Sequence, residues 1–563
     1  MENIERVIIN ADIVILGGGA AGCQAAVKAK EIDPNAEVVI IEKAGIDRSG
    51  CLAAGVNAIN AHLNEGEISK SFTDYVKRDS AGLIREDLTY TIGERLNKMS
   101  ETLEKYGLHI EKDENGKYVA RGRGSIKIHG ENIKPVLANA ARKSGAKIVE
   151  HVNGVEFIKK DGRVCGVYGF SIFENKFYAI TAKAVICATG GAAGIYKPNN
   201  DGSAKHKMWY SPFNTGAGFA MGLKSGAEMT TFEMRFIALR IKDVISPTGT
   251  VAQGVNAEQI NSSGEKYMAR YEDKSTPGRL YATLEENRLG RGPCYLDITG
   301  VPDSGNIELK KAYLAMSPAI VLKWADEGIE PNERPLEICG SEPYIVGGHG
   351  QAGYWIDNKR RSTVKGLYAA GDVAGGAPKK YVTGAMAEAE IAVETALEDI
   401  KEFEKTEITK DEIEEAVKRI YRPLNNSKAI FTLKQIEERM QKIMDEYAGG
   451  ISQNYVVNEE KLLIARYKMK EVADDFKNEI HTAKVSSLRE LQSWYEIEER
   501  VVVARDLIEH LLYRKETRWK CYQQRADYPE KDDSRWMVFV NSVYNEERDE
   551  FEIVEREKVE NLV

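Results

Sequence analysis

The sequence predicts an α/β protein of several domains: a discontinuous Rossmann-like nucleotide-binding domain, an inserted α+β capping domain and a C-terminal helical domain. Three observations predict this fold class. The first 45 residues alternate strand-like and helix-like runs around a glycine turn, strand-to-glycine turns return near residues 188 and 370, and charged amphipathic stretches follow residue 401. The 563 residues suffice for three or four domains at roughly 100–200 residues each.

Composition excludes several classes of protein. The formal charge of -9 argues against nucleic-acid binding and broad contact with anionic membranes, so any anion site must be local. Seven scattered cysteines without a C-x-x-C spacing argue against a disulfide scaffold, a zinc ribbon or an internal iron–sulfur cluster, and no metal site is predicted. We find no signal-peptide pattern and no apolar run of about 20 residues, so we expect a cytoplasmic protein without membrane insertion.

The N-terminal unit reads as strand, glycine turn, helix and strand, at residues 12–16, 17–19, 20–30 and 38–42. Its turn holds a G-x-G-x-x-G pattern, and Glu42 follows 20 residues after the last glycine. Gly17 makes the tight turn, Gly19 lets the backbone approach a pyrophosphate and Gly22 allows close helix packing. The helix N-terminus then faces the phosphates, and Glu42 can accept hydrogen bonds from a ribose. This context predicts a dinucleotide site.

Further along the chain, the pattern predicts the domain boundaries. Strands at 184–188 and 366–370 run into glycine turns, which indicates that the nucleotide-binding domain occupies residues 1–236 and 345–400. Between them, proline-punctuated residues 237–344 form the predicted capping domain. Apolar residues at i, i+3, i+4 and i+7 predict helices in residues 401–563, and their charged faces are either solvated or a partner surface.

Several segments in order resemble the flavoprotein subunits of fumarate reductase and succinate dehydrogenase, and more closely the alpha subunits of adenylylsulfate (APS) reductases. The resembling segments include residues 47–60, 207–210, 233–243, 275–279, 348–350, 518–527 and 539–541. The resemblance implies that the bound dinucleotide is FAD. It implies these FAD contacts: Gly17, Gly19, Ala20, Ala21, Gly22, Glu42, Lys43, Ser49, Gly50, Thr189, Gly190, Gly371 and Asp372.

Two departures from the family patterns matter. Membrane-bound fumarate reductases tether FAD to a histidine just after the first βαβ unit, where this chain has residues 47–51 ending in Cys51. We therefore expect non-covalent FAD. Where APS reductases place a leucine against the substrate adenine, the counterpart here is Gln253.

The resemblance implies the reversible two-electron reduction of APS to sulfite and AMP, through attack of reduced flavin N5 on sulfur. Fixed cations aimed at the sulfate and phosphate oxygens would lower the barrier, and Arg240 and Arg279 are the candidates. The alternative for a single arginine is a surface role.

Four further residues complete the predicted catalytic set. Asn60 could donate to a sulfate oxygen or cap a turn, and Trp209 could pack on flavin or substrate or simply fill a core. His349 could hydrogen-bond the sulfate or relay a proton, or it could be an ordinary loop histidine. Glu131 could orient Arg240 or a ribose, or be an exposed carboxylate at a helix start.

Three functions remain open at this point. The first is an APS-reductase-like catalytic subunit, the second a soluble fumarate-reductase-like flavoprotein, and the third a non-catalytic FAD-bearing electron-transfer subunit. Without cluster motifs in this chain, electrons must come from elsewhere, and the resemblance implies a ferredoxin-type iron–sulfur beta subunit as partner.

Overall fold

The computed structural model describes residues 4–121, 124–198, 208–244, 246–249, 254–424 and 426–560. Its centre is a parallel five-stranded sheet whose apolar strands are covered by helices on one face and by an antiparallel sheet on the other. In spatial order these strands are Leu367–Ala369, Ala184–Cys187, Ile13–Leu16, Val38–Glu42 and Lys147–Glu150. This order confirms the predicted Rossmann-like domain and its discontinuity, because Ala184–Cys187 pairs with Ile13–Leu16 and Leu367–Ala369 pairs in turn with Ala184–Cys187.

Two alanine-rich helices pack against each other on this sheet, since small side chains allow a close approach. They are Ala20–Ile32, which follows the glycine turn, and Tyr381–Asp399. The remaining helices are Ser69–Asp79, Glu86–Gly93, Leu96–Tyr106, Ile133–Lys143, Ala217–Lys224, Thr276–Arg288, Asp303–Leu314, Ala319–Glu327, Lys410–Ile420, Leu433–Tyr447, Glu459–Asp475, Leu488–Tyr513 and Asp533–Trp536.

Smaller sheets surround this core. One contains Glu5–Asn10, Lys176–Thr181, Arg163–Ser171 and Val152–Lys160, and another contains Val56–Asn60, Ser125–Gly130 and His109–Ile110. The inserted segment forms an antiparallel sheet of Leu239–Ile241, Leu336–Gly340, Cys294–Asp297 and Glu258–Ile260. Together with the helices of residues 276–327, this sheet is the α+β cap that the sequence predicted, and it has its own apolar core.

The C-terminal region is helical as predicted, with one addition. After the long helix Leu488–Tyr513, the chain forms a hairpin of Val538–Asn545 and Glu550–Glu557, which we had not predicted. The hairpin pairs with Met229–Thr230, and Gly353–Tyr354 completes that sheet. Val456–Val457 and Gln524–Arg525 form a short parallel pair. Within the described ranges, none of the helices is both long and apolar enough to cross a membrane.

Candidate active site

A cavity of about 1160 Å³ lies between the carboxyl edge of the parallel sheet and the cap. Leu16, Ala188 and Ala370 line it where three parallel strands end, and Leu239 and Arg279 line it from the cap. Ligands of open α/β sheets bind at this edge. The cavity brings together most of the predicted residues: Gly17, Gly19, Ala20, Ala21, Glu42, Lys43, Ser49, Gly50, Asn60, Glu131, Thr189, Gly190, Trp209, Arg279, His349, Gly371 and Asp372.

The glycine turn has the geometry of a phosphate cradle. Gly17 has φ +101°, in the region that favours glycine, and a Cβ there would lie 2.6 Å from the Ala188 carbonyl oxygen. A Cβ on Gly22 would lie 1.9 Å from the Gly17 carbonyl oxygen. Gly22 therefore allows the helix to pack closely on the turn, and it is not part of the described cavity lining. Around Gly19, by contrast, the described atoms leave open space within 4 Å. A ligand can therefore approach the backbone at Gly19.

Glu42 is anchored at the end of its strand. Its Oε2 accepts the N–H of Gly18 at 2.8 Å, and its Oε1 accepts the N–H of Ala44 at 2.9 Å. Each carboxylate oxygen keeps acceptor capacity, so the group can still bind a ribose. Next to it, the Nζ of Lys43 lies 3.0 Å from Oε1 of Glu496, on the long C-terminal helix. The helical region thus supports this end of the cavity.

Four polar atoms of the lining residues are buried without a hydrogen-bond partner in the described structure. They are the Ser49 hydroxyl, Nδ2 of Asn153, Nδ1 of His349 and Oδ1 of Asn214, whose Nδ2 donates to the Thr189 carbonyl at 2.7 Å. Buried polar atoms of this kind normally have partners, so each indicates a ligand atom. Together with the open approach at Gly19 and the anchored Glu42, they fit a bound FAD.

The turn at Gly371 and Asp372 is held by a buried ion pair. Glu388 Oε2 accepts the N–H of Gly371 at 2.9 Å and lies 2.9 Å from Lys380 Nζ. That ammonium also donates to the carbonyl oxygens of Gly371 and Ala374, at 2.8 and 2.7 Å. Both charges are fully buried, and their hydrogen bonds to Gly371 and Ala374 fix the backbone of this turn.

One wall of the cavity is aromatic. Trp209 meets His349 edge to face, with ring centroids 4.8 Å apart, and Phe236 lies 5.1 Å from Trp209. Tyr381 closes the other side of His349 at 5.1 Å. Burial lowers the pKa of His349 below its ordinary 6.5, and its Nδ1 has no hydrogen-bond partner in the described structure. The imidazole is therefore neutral at pH 7 and has a ring nitrogen free for a ligand.

Arg279 supplies positive charge from the cap. It lies in the first turn of the helix Thr276–Arg288, whose N-cap Ser275 accepts the N–H of Gly278. Its half-buried guanidinium has no hydrogen bond or ion pair among the described residues, and burial lowers its pKa. Arg121 lines the same cavity and donates to Oδ1 of Asn57 at 2.8 Å. A buried cation without a counterion favours an anionic ligand.

The other predicted catalytic residues have different positions. Asn60 and Glu131 are exposed and lie on the cavity rim, and Glu131 stands just before the helix Ile133–Lys143. Arg240 does not belong to the described lining: it is fully buried, with Nη2 4.0 Å from Oε2 of Glu342. Strand geometry explains this, because its neighbour Leu239 faces the cavity and alternate side chains face away. Gln253 lies outside the described residues.

Sequence reasoning missed several residues of this site. Tyr210, Asn214 and Arg121 line the cavity, while Glu388 and Lys380 support its floor. Tyr210 belongs to the resembling segment 207–210, so its position beside Trp209 was an available signal. The buried carboxylate and lysine had no such signal, because they are eight residues apart and not at the i,i+3 or i,i+4 spacing that marks a helical pair.

Comparison with known proteins decides the family. A model of the FAD binding domain matches residues 12–385, and a model of the fumarate reductase flavoprotein C-terminus matches residues 437–562. The adenylylsulfate reductase structure from Archaeoglobus fulgidus is 33% identical, covers 100% of this chain and 98% of its own, and superposes with a TM-score of 0.93. The chain belongs to the adenylylsulfate reductase alpha-subunit family of FAD-binding flavoproteins.

A curated relative and a second solved structure agree with this placement. The alpha subunit from Megalodesulfovibrio gigas is 28% identical over 97% of this chain and 95% of its own length. A structure described as adenosine-5-phosphosulfate reductase in complex with sulfite, as a covalent adduct, is 33% identical with a TM-score of 0.93, over 100% of this chain and 98% of that one. The protein is an FAD-dependent oxidoreductase.

Proposed function

We propose that this protein reduces adenosine 5′-phosphosulfate to sulfite and AMP, reversibly, with FAD. The observation that carries the proposal is Arg279: a half-buried cation without a counterion among the described residues, in a cavity that also holds the FAD cradle. When bound, reduced FAD supplies two electrons and a nucleophilic N5. The likeness to an adenylylsulfate reductase with bound sulfite supports the same chemistry here.

The chain's own residues would bind and orient the substrate. Arg279 pairs with sulfate or phosphate oxygens, and its attraction grows as negative charge develops on the departing AMP. Trp209 and Phe236 offer aromatic surface to a planar group. His349 can donate one ring N–H to a substrate oxygen while remaining neutral, because burial disfavours its cation. Asn60 and Glu131, on the rim, can bind the polar ends of the nucleotide.

Arg240 has a different role in this proposal. Its side chain is buried against Glu342, whose carboxylate offsets its charge, and it lies outside the described lining, so it supports the cavity wall and does not contact the substrate. Glu131 therefore does not need to orient it.

Further parts of the proposal concern the cofactor and the partner. FAD is non-covalent, since Cys51 lies in the lining where related flavoproteins carry the tethering histidine. Electrons arrive from a ferredoxin-type iron–sulfur beta subunit in the cytoplasm, because all seven cysteines of this chain are scattered, free thiols.

The proposed domain boundaries follow the sequence pattern. The FAD domain comprises residues 1–236 and 345–400, the cap comprises residues 237–344, and the helical region comprises residues 401–563.

An anaerobic reoxidation assay tests the function. The FAD-loaded protein is reduced with an artificial viologen donor and then mixed with APS or fumarate while the flavin spectrum and the products are recorded. We expect reoxidation by APS with stoichiometric sulfite and AMP. Fast reoxidation by fumarate without sulfite from APS would instead assign a fumarate-reductase-like activity, and no reoxidation by either would favour an electron-transfer subunit.

A further inference from the structure

A buried chain of polar groups leads from the cap to the aromatic wall of the cavity. Its members are Arg240, Glu342 and Tyr344, all fully buried, and it ends on the backbone of Trp209. The Tyr344 hydroxyl donates to Oε1 of Glu342 and accepts the N–H of Trp209 at 2.9 Å.

Proton counting fixes the direction of these bonds. The N–H of Trp209 can act only as a donor, so the Tyr344 oxygen must be the acceptor there. The single phenolic proton is then left for Glu342. The second oxygen of that carboxylate lies 4.0 Å from Nη2 of Arg240, which supplies the opposite charge inside the protein.

Tyr344 also holds the wall through its backbone. It exchanges two backbone hydrogen bonds of 2.8 Å with Phe236, and its ring centroid lies 5.9 Å from that of Trp209. Phe236 and Trp209 both line the cavity and both contact His349. One buried tyrosine therefore sets the spacing of two of the aromatic groups that face the ligand.

We propose that Tyr344 and Glu342 are positioning residues that fix Trp209 in the cavity wall, with Arg240 as the buried charge partner of Glu342. Tyr344 and Glu342 do not belong to the described cavity lining, so their effect on a ligand passes through Trp209. Burial raises the pKa of Glu342, whereas Arg240 and the Tyr344 hydroxyl favour its ionised form. The group thus keeps its acceptor character because of those two neighbours.

Fluorotryptophan NMR tests the proposal without using the reaction. The protein has six tryptophans, and the resonance of Trp209 is assigned by its loss in W209F. We expect Y344F to shift the Trp209 resonance and leave the other five in place. E342Q should shift it in the same direction but less, because a neutral amide oxygen is a weaker acceptor than a carboxylate.

Y455F is the matched control. Tyr455 is equally buried and its hydroxyl donates to the Ser341 carbonyl, next to Glu342, but it has no described contact with Trp209. A Trp209 resonance that stays in place in Y344F, or moves no more than in Y455F, would overturn the proposal. If Y344F cannot be isolated folded, E342Q against Y455F decides in the same way.

Kinetic measurements, which rest on the proposed function, test the effect of Trp209 positioning on KM for APS. Losing one buried hydrogen bond predicts a rise of about tenfold in KM for APS in Y344F, with a change of less than about twofold in Y455F. When Y344F is combined with W209F, it should raise KM for APS by less than about twofold over W209F alone, because both substitutions act through the side chain at position 209. Additive effects would contradict positioning through Trp209. If APS is not a substrate at all, the proposed function is wrong, but the NMR experiment still tests the positioning of Trp209.

Discussion

The hydroxyl of Tyr210 donates to Oδ2 of Asp372 across 2.7 Å and accepts the N–H of Gly191 across 3.0 Å. One side chain thereby ties together the two glycine turns on either side of the FAD cavity. Residues 189–191 follow one parallel strand and residues 371–372 follow its neighbour. The spacing of these turns depends on a residue that belongs to neither.

Y210F should therefore weaken FAD binding about tenfold, since it leaves one buried N–H without a partner and releases Asp372, a cost of about 1–2 kcal/mol. The dissociation constant is measured by the quenching of FAD fluorescence as apoprotein is added. Y368F is the control, because the Tyr368 hydroxyl bonds Asp399 away from the cavity lining. Equal affinities of Y210F and Y368F would contradict this prediction.

Two glycines of the first turn should respond differently to alanine. G22A places a Cβ 1.9 Å from the Gly17 carbonyl oxygen, so we expect the apoprotein itself to be destabilised. G19A meets open space at φ -70°, so the apoprotein should unfold at the wild-type temperature while its FAD affinity falls. Thermal unfolding with and without FAD separates the two cases, and G300A, also in open space, is the control. Unchanged FAD binding in G19A would argue against a pyrophosphate at this position.

R279Q should raise KM for APS by about tenfold to 100-fold, because charge-assisted hydrogen bonds to an anion contribute about 1.5–3 kcal/mol. R279K should recover part of this loss, since it keeps the charge but not the bidentate geometry. Steady-state kinetics with a viologen donor provide the measurement. R288Q, in the same helix but exposed and paired with Glu285, should behave as wild type. A wild-type KM in R279Q would remove Arg279 from the substrate site.

Glu499 should make stability depend on pH. Burial raises its pKa to about 7, with Lys43 and the hydroxyl of Thr215 at 2.5 Å opposing and Glu496 adding to the shift. The carboxyl of Glu499 ionises near pH 4.5 in the unfolded chain and near pH 7 in the folded protein. The free energy of unfolding therefore falls as pH rises between these two values. E499Q keeps an acceptor for Thr215 but has no charge to bury. Its free energy of unfolding, relative to that of wild type, should therefore rise by about 3 kcal/mol from pH 5 to pH 8. Urea unfolding at both pH values measures this, and an equal difference at each would contradict it.

Acid denaturation should release all FAD into the supernatant, because Cys51 has no nitrogen with which to form the histidyl bond of related flavoproteins. The absorbance of the supernatant and flavin fluorescence of the denatured protein on a gel measure the two fractions. Fluorescence that stays with the protein band would show a covalent bond.

The sequence predicted the fold wherever local pattern and tertiary contact agree. The strand, glycine turn, helix and carboxylate of residues 12–42 stand together in the chain, so their periodicity was sufficient. Strands near 184 and 367 could be assigned to the same sheet because each ends in a glycine turn. The C-terminal hairpin escaped prediction, since its strand residues alternate weakly and its pairing with Met229–Thr230 spans about 300 residues.

The sequence by itself predicted the family resemblance, the FAD cradle and the candidate residues of the substrate site, because these depend on short motifs in order. Only the tertiary structure decided which arginine faces the cavity. Arg240 and Arg279 look alike in the sequence, but strand alternation turns the first toward Glu342 while the first helical turn presents the second to the ligand. The supports of Trp209 and Asp372 were decided in the same way, because contacts between residues 100 or more positions apart depend on packing that no local pattern records.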